Sequence, residues 1–146
     1  MLSLGMDIGT STVKLVLLRD GAMAKQWMAV HHGRPFACLK KGLSALELDA
    51  DTPFSLCVTG SNTEALLEQA PDIPSFGDIP AIVEGVRQIV PQAGSVIEIG
   101  SQGARFITDL QSRAPQFAVN EHCAGGTGSF FEDQMLSLIH ISEPTR

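Results

Sequence analysis

An acid and a run of small hydroxyl residues lie together near the start of the chain. Asp7 is followed by Gly9 and then by Thr10, Ser11 and Thr12. Glycine lets a backbone or a phosphate approach closely, and hydroxyl and main-chain N–H groups suit anionic oxygens. A carboxylate next to phosphate acts through a divalent cation, because hydrated magnesium bridges two groups that would otherwise repel each other. The spacing therefore predicts a nucleotide site in which Asp7 holds Mg²⁺.

Hydrophobic periodicity predicts the elements that position these residues. Two strands within residues 2–18 flank the turn, and Asp20-Gly21 makes the next turn of an antiparallel meander. We expect Asp78 to cap a helix, Ala65 to face the core, and the strand over 95–100 to be buried. The elements that follow the first strand are predicted as strands over 12–18 and 25–31, a helix over 36–46, a strand over 54–60, helices over 62–70 and 78–90, strands over 95–100, 104–110 and 116–120, and a helix over 125–136.

An internal repeat supports the phosphate-site interpretation. Residues 6–14 and 97–105 share one outline, in which an apolar strand ends in an acid and an Ile-Gly pair, and a basic residue follows in the next strand. The corresponding residues are Asp7 and Glu98, Gly9 and Gly100, and Lys14 and Arg105. The repeat predicts two like lobes that face each other, each giving one loop to the phosphates.

Composition narrows the class of protein. The 146 residues carry a formal charge of −6 with no basic run, which argues against nucleic acid or an anionic membrane as a general partner. No apolar run is long enough to span a bilayer, and the start lacks a signal-peptide pattern, so we expect a cytoplasmic protein. The three cysteines, Cys38, Cys57 and Cys123, are too few and too widely spaced for a disulfide framework, and we expect Cys38 and Cys57 in the core.

Three motifs together resemble a known family. The DIGTST and IGSQ loops resemble the phosphate loops of the actin, sugar-kinase and chaperone ATPase superfamily. Residues 119–135, VNEHCAGGTGSFFEDQM, resemble a segment of the 2-hydroxyacyl-CoA dehydratase activators, the BadF/BadG/BcrA/BcrD ATPase family. With His32-Gly33-Arg34 and Val58-Thr59-Gly60-Ser61, the resemblance is to the long CoA-substrate-specific activases, and it runs over about residues 4–135.

This resemblance implies an α/β, actin-like ATPase fold of the ribonuclease-H type. The first lobe would be complete over 1–93, and residues 94–135 would be the start of a truncated second lobe. The tail over 136–146 resembles a translated sequencing adapter rather than native sequence. The family is a homodimeric activator that couples ATP hydrolysis to low-potential electron transfer. The electron passes from a [4Fe-4S] cluster shared between the subunits to a 2-hydroxyacyl-CoA dehydratase or a related reductase, and a ferredoxin or flavodoxin is the implied donor.

The resemblance also implies residue roles. Asp7 matches the acid of the first phosphate loop, and the nucleotide cradle is Gly9, Thr10, Ser11 and Thr12 with Lys14 beyond it. The second loop is Gly100, Ser101 and Gln102, and Ser101 and Gly103 stand where the family usually has a glycine and an acid. Cys123 matches the first cluster cysteine, at a helix N-terminus that favours a thiolate.

Several assignments stay open at this point. Glu98 either helps to hold Mg²⁺ through water or caps a turn, and Gln102 is a candidate for orienting the attacking water. His31 and His32 either contact a partner or nucleotide or form a solvated strand end. Two other functions also fit the sequence: a small-molecule kinase of the same superfamily, and a non-catalytic nucleotide-binding domain.

Overall fold

The computed structural model describes residues 1–48, 51–100 and 103–119, and the chain forms two compact units, Met1–Ile82 and Val83–Arg146. The predicted helix over 125–136 and the tail over 136–146 lie outside the described residues. The division into lobes at residue 93 stays a prediction. Of the helices that the structure describes, none is long and apolar enough to cross a membrane.

The first unit is built on a four-stranded mixed sheet with the strand order β3-β2-β1-β4. The meander β1–β2–β3 is antiparallel, as predicted, and β4 runs parallel to β1. The intervening helix α1 makes the crossover that a parallel pair requires. The bounds are β1 Leu2–Ile8, β2 Thr12–Arg19, β3 Ala22–Val30, α1 Pro35–Ala45, β4 Phe54–Thr59, α2 Glu64–Gln69 and α3 Asp78–Ile89. The sequence boundary between the two units falls within α3.

One face of this sheet carries the core. Successive residues of a strand point to opposite faces, so every second residue of β1 and β2 is buried. The core residues of the sheet are Leu4, Met6, Ile8, Val13, Leu15, Leu17 and Val58, and α1 with the residue after it adds Cys38, Leu39 and Leu46. Fully burying one such aliphatic side chain stabilises the fold by roughly 1.5–3 kcal/mol. This packing fixes β1 and β2, and therefore the turn between them.

Gly42 in the middle of α1 has a packing reason. A Cβ at this position would lie 2.5 Å from Cε3 of Trp27 and 2.7 Å from Cδ1 of Leu15. The helix therefore approaches the sheet closely enough to exclude any side chain there. Gly42 is therefore the residue that lets α1 pack over β2 and β3.

Gly42→Ala is expected to lower the free energy of unfolding by about 1–2 kcal/mol. Overpacking costs about 1–3 kcal/mol, and the better helix propensity of alanine returns up to about 1 kcal/mol. Gly85→Ala in α3 is the matched control, because its Cβ would meet nothing within 4 Å, and it should be stabilising. Urea denaturation measures both variants. Equal stabilisation by the two substitutions would contradict the packing argument.

The second unit contains an antiparallel sheet with the strand order β5-β6-β7. The bounds are β5 Ser95–Gly100, β6 Gly103–Thr108 and β7 Gln116–Val119. Ile107 and Leu110 are fully buried, whereas Ile97 is 64% exposed and Ile99 is 41% exposed. The prediction that residues 95–100 form a buried strand is therefore wrong, because one face of β5 is exposed and the other is only half-buried. The alternation of β5 is that of a sheet covered on one side, as is common for antiparallel sheets.

Three local predictions are corrected by the first unit. Ala65 is exposed, because the residues of α2 that pack against the core are Leu66 and Leu67. Asp78 is the first residue of α3 rather than its cap, because the Gly77 carbonyl accepts the first helical bond, from Ala81. Cys57 pairs with Gly5 in register and therefore faces away from the core, whereas Cys38 is buried in it as predicted.

Candidate functional site

The turn between β1 and β2 is narrow and has unused hydrogen-bond donors. Gly9 N–H donates to the Thr12 carbonyl over 3.0 Å, which leaves Thr10 and Ser11 as the two turn residues. Neither of these has a positive φ, so the turn is not one of the mirror-image types that usually close two-residue hairpins. Among the described residues, the N–H groups of Thr10 and Ser11 have no acceptor. Two adjacent free amides of this kind can bind an anionic oxygen.

Asp7 lies beside this turn, opposite a base. The register pairs Asp7 with Lys14, and Nζ of Lys14 donates to Oδ2 of Asp7 over 2.7 Å. The side chains are 32% and 48% exposed, so this ion pair contributes at most about 1 kcal/mol to stability. Its effect is to hold the carboxylate in place with one oxygen engaged. The other oxygen, Oδ1, faces Gly9 and Gly60.

Gly9 leaves a space between Asp7 and Thr12. A Cβ built on Gly9 would lie 3.3 Å from the Thr12 carbonyl oxygen, 3.5 Å from Oδ1 of Asp7 and 4.0 Å from Oγ1 of Thr12. The missing side chain therefore opens a small concave surface bordered by a carboxylate and a hydroxyl. This is the arrangement expected where a phosphate and its cation approach a backbone closely.

Two other loops hold the turn from behind. His31, at the end of β3, donates its N–H to the Ser11 carbonyl over 3.0 Å, and its ring Nε2 lies 3.1 Å from the Gly9 carbonyl oxygen. Asn62, between β4 and α2, donates its N–H to the Ile8 carbonyl over 2.9 Å and its side-chain Nδ2 to the Gly9 carbonyl over 2.7 Å. The turn is thus fixed by residues distant in sequence.

Gly60 lets the loop after β4 pack against the end of β1. Its φ is +104°, and a Cβ there would lie 2.5 Å from the carbonyl carbon and oxygen of Ile8 and 2.7 Å from Oδ1 of Asp7. The next residue, Ser61, shares a 2.8 Å hydrogen bond with the Thr10 hydroxyl. Gly60 and Ser61 belong to the Val58–Ser61 motif, and the structure brings that motif to the predicted phosphate loop.

The second hairpin repeats the acid–base pair of the first. Glu98 on β5 pairs in register with Arg105 on β6, and Nη1 of Arg105 donates to Oε2 of Glu98 over 2.9 Å. A Cβ on Gly100 would lie 2.8 Å from Oε1 of Glu98, so the carboxylate covers this glycine. The predicted correspondence of the two hairpins is confirmed at these positions. Ser101, Gln102 and Cys123 lie outside the described residues.

The sequence left some of this site unassigned. His31 is 8% exposed and is therefore not a solvated strand end, whereas His32 is exposed. Asn62 carried no functional prediction. A usable signal was present in both cases, since His31 ends the strand predicted over 25–31 and Asn62 follows the strand predicted over 54–60. At such positions a side chain can reach the end of a neighbouring strand.

The described residues place narrow limits on a metal ion. Among them, no group of three or more His, Cys, Asp or Glu side chains lies close enough to hold one. An ion at Asp7 would therefore complete its shell with water and phosphate oxygens, as Mg²⁺ commonly does. The donor set fits a hydrated cation and does not supply an all-protein cage.

A cavity of about 380 Å³ lies at the opposite end of the first sheet. It is lined by Leu2, Leu17, Arg19 and Phe54 among others, and Leu2 pairs with Arg19 at the far end of β1 from Asp7. This cavity is therefore separate from the phosphate-type turn and contributes nothing to it.

The fold is that of the actin-like ATPases. A solved structure of the activator of 2-hydroxyisocaproyl-CoA dehydratase from Clostridium difficile, with bound ADPNP, matches 96% of this chain and 53% of its own. The TM-score is 0.73 at 27% sequence identity. No family model matches the chain.

Curated relatives with similar sequences are activators of CoA-substrate dehydratases. The activator of lactoyl-CoA dehydratase from Anaerotignum propionicum is 31% identical over 137 residues, which are 90% of this chain and 52% of the relative. The (R)-2-hydroxyglutaryl-CoA dehydratase activating ATPase from Acidaminococcus fermentans is 27% identical over 143 residues, 95% of this chain and 54% of the relative. The chain is similar to these activators of 2-hydroxyacyl-CoA dehydratases over nine-tenths or more of its length, and it spans about half the length of these relatives.

Proposed function

We propose that this chain carries the first phosphate loop of an activating ATPase. The protein would couple ATP hydrolysis to low-potential electron transfer toward a 2-hydroxyacyl-CoA dehydratase or a related CoA-substrate reductase. The observation that carries this proposal is the Asp7–Thr12 turn, where two amides with no acceptor in the described part of the chain, an open glycine face and a carboxylate converge. It is supported by the ADPNP found in the similar activator from Clostridium difficile.

Each residue of the turn has a role in this proposal. Asp7 holds hydrated Mg²⁺ through Oδ1, while Lys14 occupies Oδ2 and keeps the carboxylate in place. The amides of Thr10 and Ser11 and the hydroxyl of Thr12 bind phosphate oxygens, and Gly9 lets the phosphate come close. Positioned donors and a metal ion are the means by which proteins stabilise the charge that develops in phosphoryl transfer.

The remaining roles extend beyond the first turn. Gly100, Ser101 and Gln102 would form the second phosphate loop, with Gln102 orienting water and Glu98 as a second, water-mediated magnesium contact. Cys123 would be one ligand of a [4Fe-4S] cluster shared by two subunits, which supplies a low-potential electron when bound. The proposed assembly is a homodimer that receives electrons from a ferredoxin or flavodoxin and passes them to the dehydratase.

Binding of ADPNP to the 146-residue chain tests this proposal. Calorimetry should detect binding in Mg²⁺ and weaker binding in EDTA. Asp7→Asn should weaken the binding in Mg²⁺ by about tenfold or more and remove most of the effect of EDTA, because a charge-assisted contact is worth about 1.5–3 kcal/mol.

Asp72→Asn is the matched control, since Asp72 is an exposed carboxylate of the same unit, and it should bind as the wild type does. If Asp7→Asn retained both the wild-type affinity and the wild-type response to EDTA, the magnesium role of Asp7 would be refuted. If the wild type bound no ADPNP, the nucleotide site itself would be refuted.

A further inference from the structure

We infer that His31 and Asn62 are positioning residues of the phosphate loop. They hold the Gly9 carbonyl from two loops and thereby direct the Thr10 N–H at the bound phosphate. This inference rests on the proposed function and adds two residues to which neither the repeat nor the family resemblance gives a role at the nucleotide. Neither side chain needs to touch the nucleotide in order to act.

The Gly9 carbonyl has two donors, which fixes the orientation of one peptide group. Asn62 Nδ2 donates to this oxygen over 2.7 Å, and His31 Nε2 lies 3.1 Å from it. A carbonyl oxygen has two lone pairs, so both are used. The peptide bond is trans, which places the Thr10 N–H opposite the Gly9 C=O. Because the carbonyl points at His31 and Asn62, the amide points away from them, where it has no acceptor among the described residues.

The hydrogen-bond network defines the tautomer of His31. Gly33 N–H lies 3.1 Å from Nδ1 of the ring, and a backbone N–H can only donate, so Nδ1 accepts. The ring proton is then on Nε2, which donates to the Gly9 carbonyl. The tautomer is thus assigned from the positions of the partners. Both ring nitrogens of this buried side chain therefore form hydrogen bonds, Nδ1 as the acceptor from Gly33 and Nε2 as the donor to Gly9.

Each positioning residue is itself anchored to the backbone beside Gly9. The backbone N–H of His31 donates to the carbonyl of Ser11, the second turn residue, and the backbone N–H of Asn62 donates to the carbonyl of Ile8, the last residue of β1. Rotation of the Gly9–Thr10 peptide would break both side-chain bonds while these anchors stayed in place. The side chains therefore control the direction of the amide, and the backbone anchors control the position of the turn.

Three variants and one control test this inference by ADPNP binding in Mg²⁺. His31→Leu and Asn62→Asp remove a donor to Gly9 and should each weaken binding by about tenfold, the value of one hydrogen bond at 1–2 kcal/mol. His31→Gln retains an amide donor and should recover most of the affinity. His32→Asn should bind as the wild type does, because His32 is exposed and its φ of 47° suits asparagine.

Nuclear magnetic resonance supplies a readout that a purely structural role would not move. The wild-type ring should show a protonated Nε2 and an unprotonated Nδ1, and the Thr10 amide should shift strongly when ADPNP binds. In Asn62→Asp, which keeps the size of the side chain, the spectrum should remain that of a folded protein and the Thr10 shift should shrink.

The outcomes separate this inference from the proposed function. A wild type that binds no ADPNP overturns both. A wild type that binds, with His31→Leu and Asn62→Asp equally tight, overturns only the positioning role. A ring protonated on Nδ1 alone, or loss of affinity in His31→Gln as large as in His31→Leu with both variants folded, also overturns it.

Discussion

Gly60→Ala is expected to lower the free energy of unfolding of the first unit by about 2–6 kcal/mol. Two costs add. The φ of +104° is unfavourable for any residue with a Cβ, at about 1–3 kcal/mol, and the new Cβ would lie 2.5 Å from the Ile8 backbone, at about 1–3 kcal/mol for overpacking. The neighbouring atoms belong to the backbone of β1 and cannot move aside as the end of a flexible side chain could. Urea denaturation followed by circular dichroism measures the loss.

Gly21→Ala separates the two costs. Gly21 also has a positive φ, +82°, but a Cβ there would meet nothing within 4 Å. This control variant should therefore lose only the backbone contribution of about 1–3 kcal/mol. If both variants lost the same stability, close packing of the loop after β4 against β1 would not be part of the structure.

Gly60→Ala should also affect the candidate site more than its stability loss explains. The atoms that the new Cβ would displace include Oδ1 of Asp7, and Asn62 lies two residues further along the same loop. Under conditions where both variants remain folded, ADPNP binding should be weaker in Gly60→Ala than in Gly21→Ala. Equal affinities would place the nucleotide away from this loop.

Local pattern was sufficient to predict the hairpins and their acids. Alternation along a strand has a period of two, and the turn residues fix the register, so Asp7 opposite Lys14 and Glu98 opposite Arg105 follow from the repeat. Both pairs are formed by neighbours within one hairpin. For this reason the first hairpin and its turn were predicted correctly without any knowledge of the rest of the fold.

Contacts between distant parts of the chain were not predictable in this way. His31 is 22 residues and Asn62 is 53 residues from Gly9, and a hydrogen bond to a carbonyl leaves no spacing or composition signal. Cys57 was misplaced for a different reason, because its strand was treated as buried on both faces. The strand alternates, and Cys57 lies between Ser55 and Thr59 on the more polar face. The register with β1 places Val58 rather than Cys57 in the core.

Gly9→Val is expected to raise the dissociation constant for ADPNP by a factor of about 100 or more while the fold is retained. A Cβ at Gly9 already lies 3.3–4.0 Å from Thr12 and Asp7, and the two methyl groups of valine would occupy the remaining space between them. The phosphate would then lose at least two charge-assisted contacts at about 1.5–3 kcal/mol each, which corresponds to a factor of about 100 or more. Calorimetry in Mg²⁺ measures the affinity.

The fold should survive this change because Gly9 does not have a positive φ, so valine introduces no left-handed strain. Gly5→Ala is the matched control in β1, since its Cβ would have no neighbour closer than 3.9 Å, and Gly9→Ala should fall between the two. Graded loss from Gly5→Ala through Gly9→Ala to Gly9→Val, at unchanged urea midpoints, would locate the phosphate against the open face of Gly9. Wild-type affinity in folded Gly9→Val would instead require the phosphate to bind elsewhere, and the amides of Thr10 and Ser11 would then be ordinary donors of a turn.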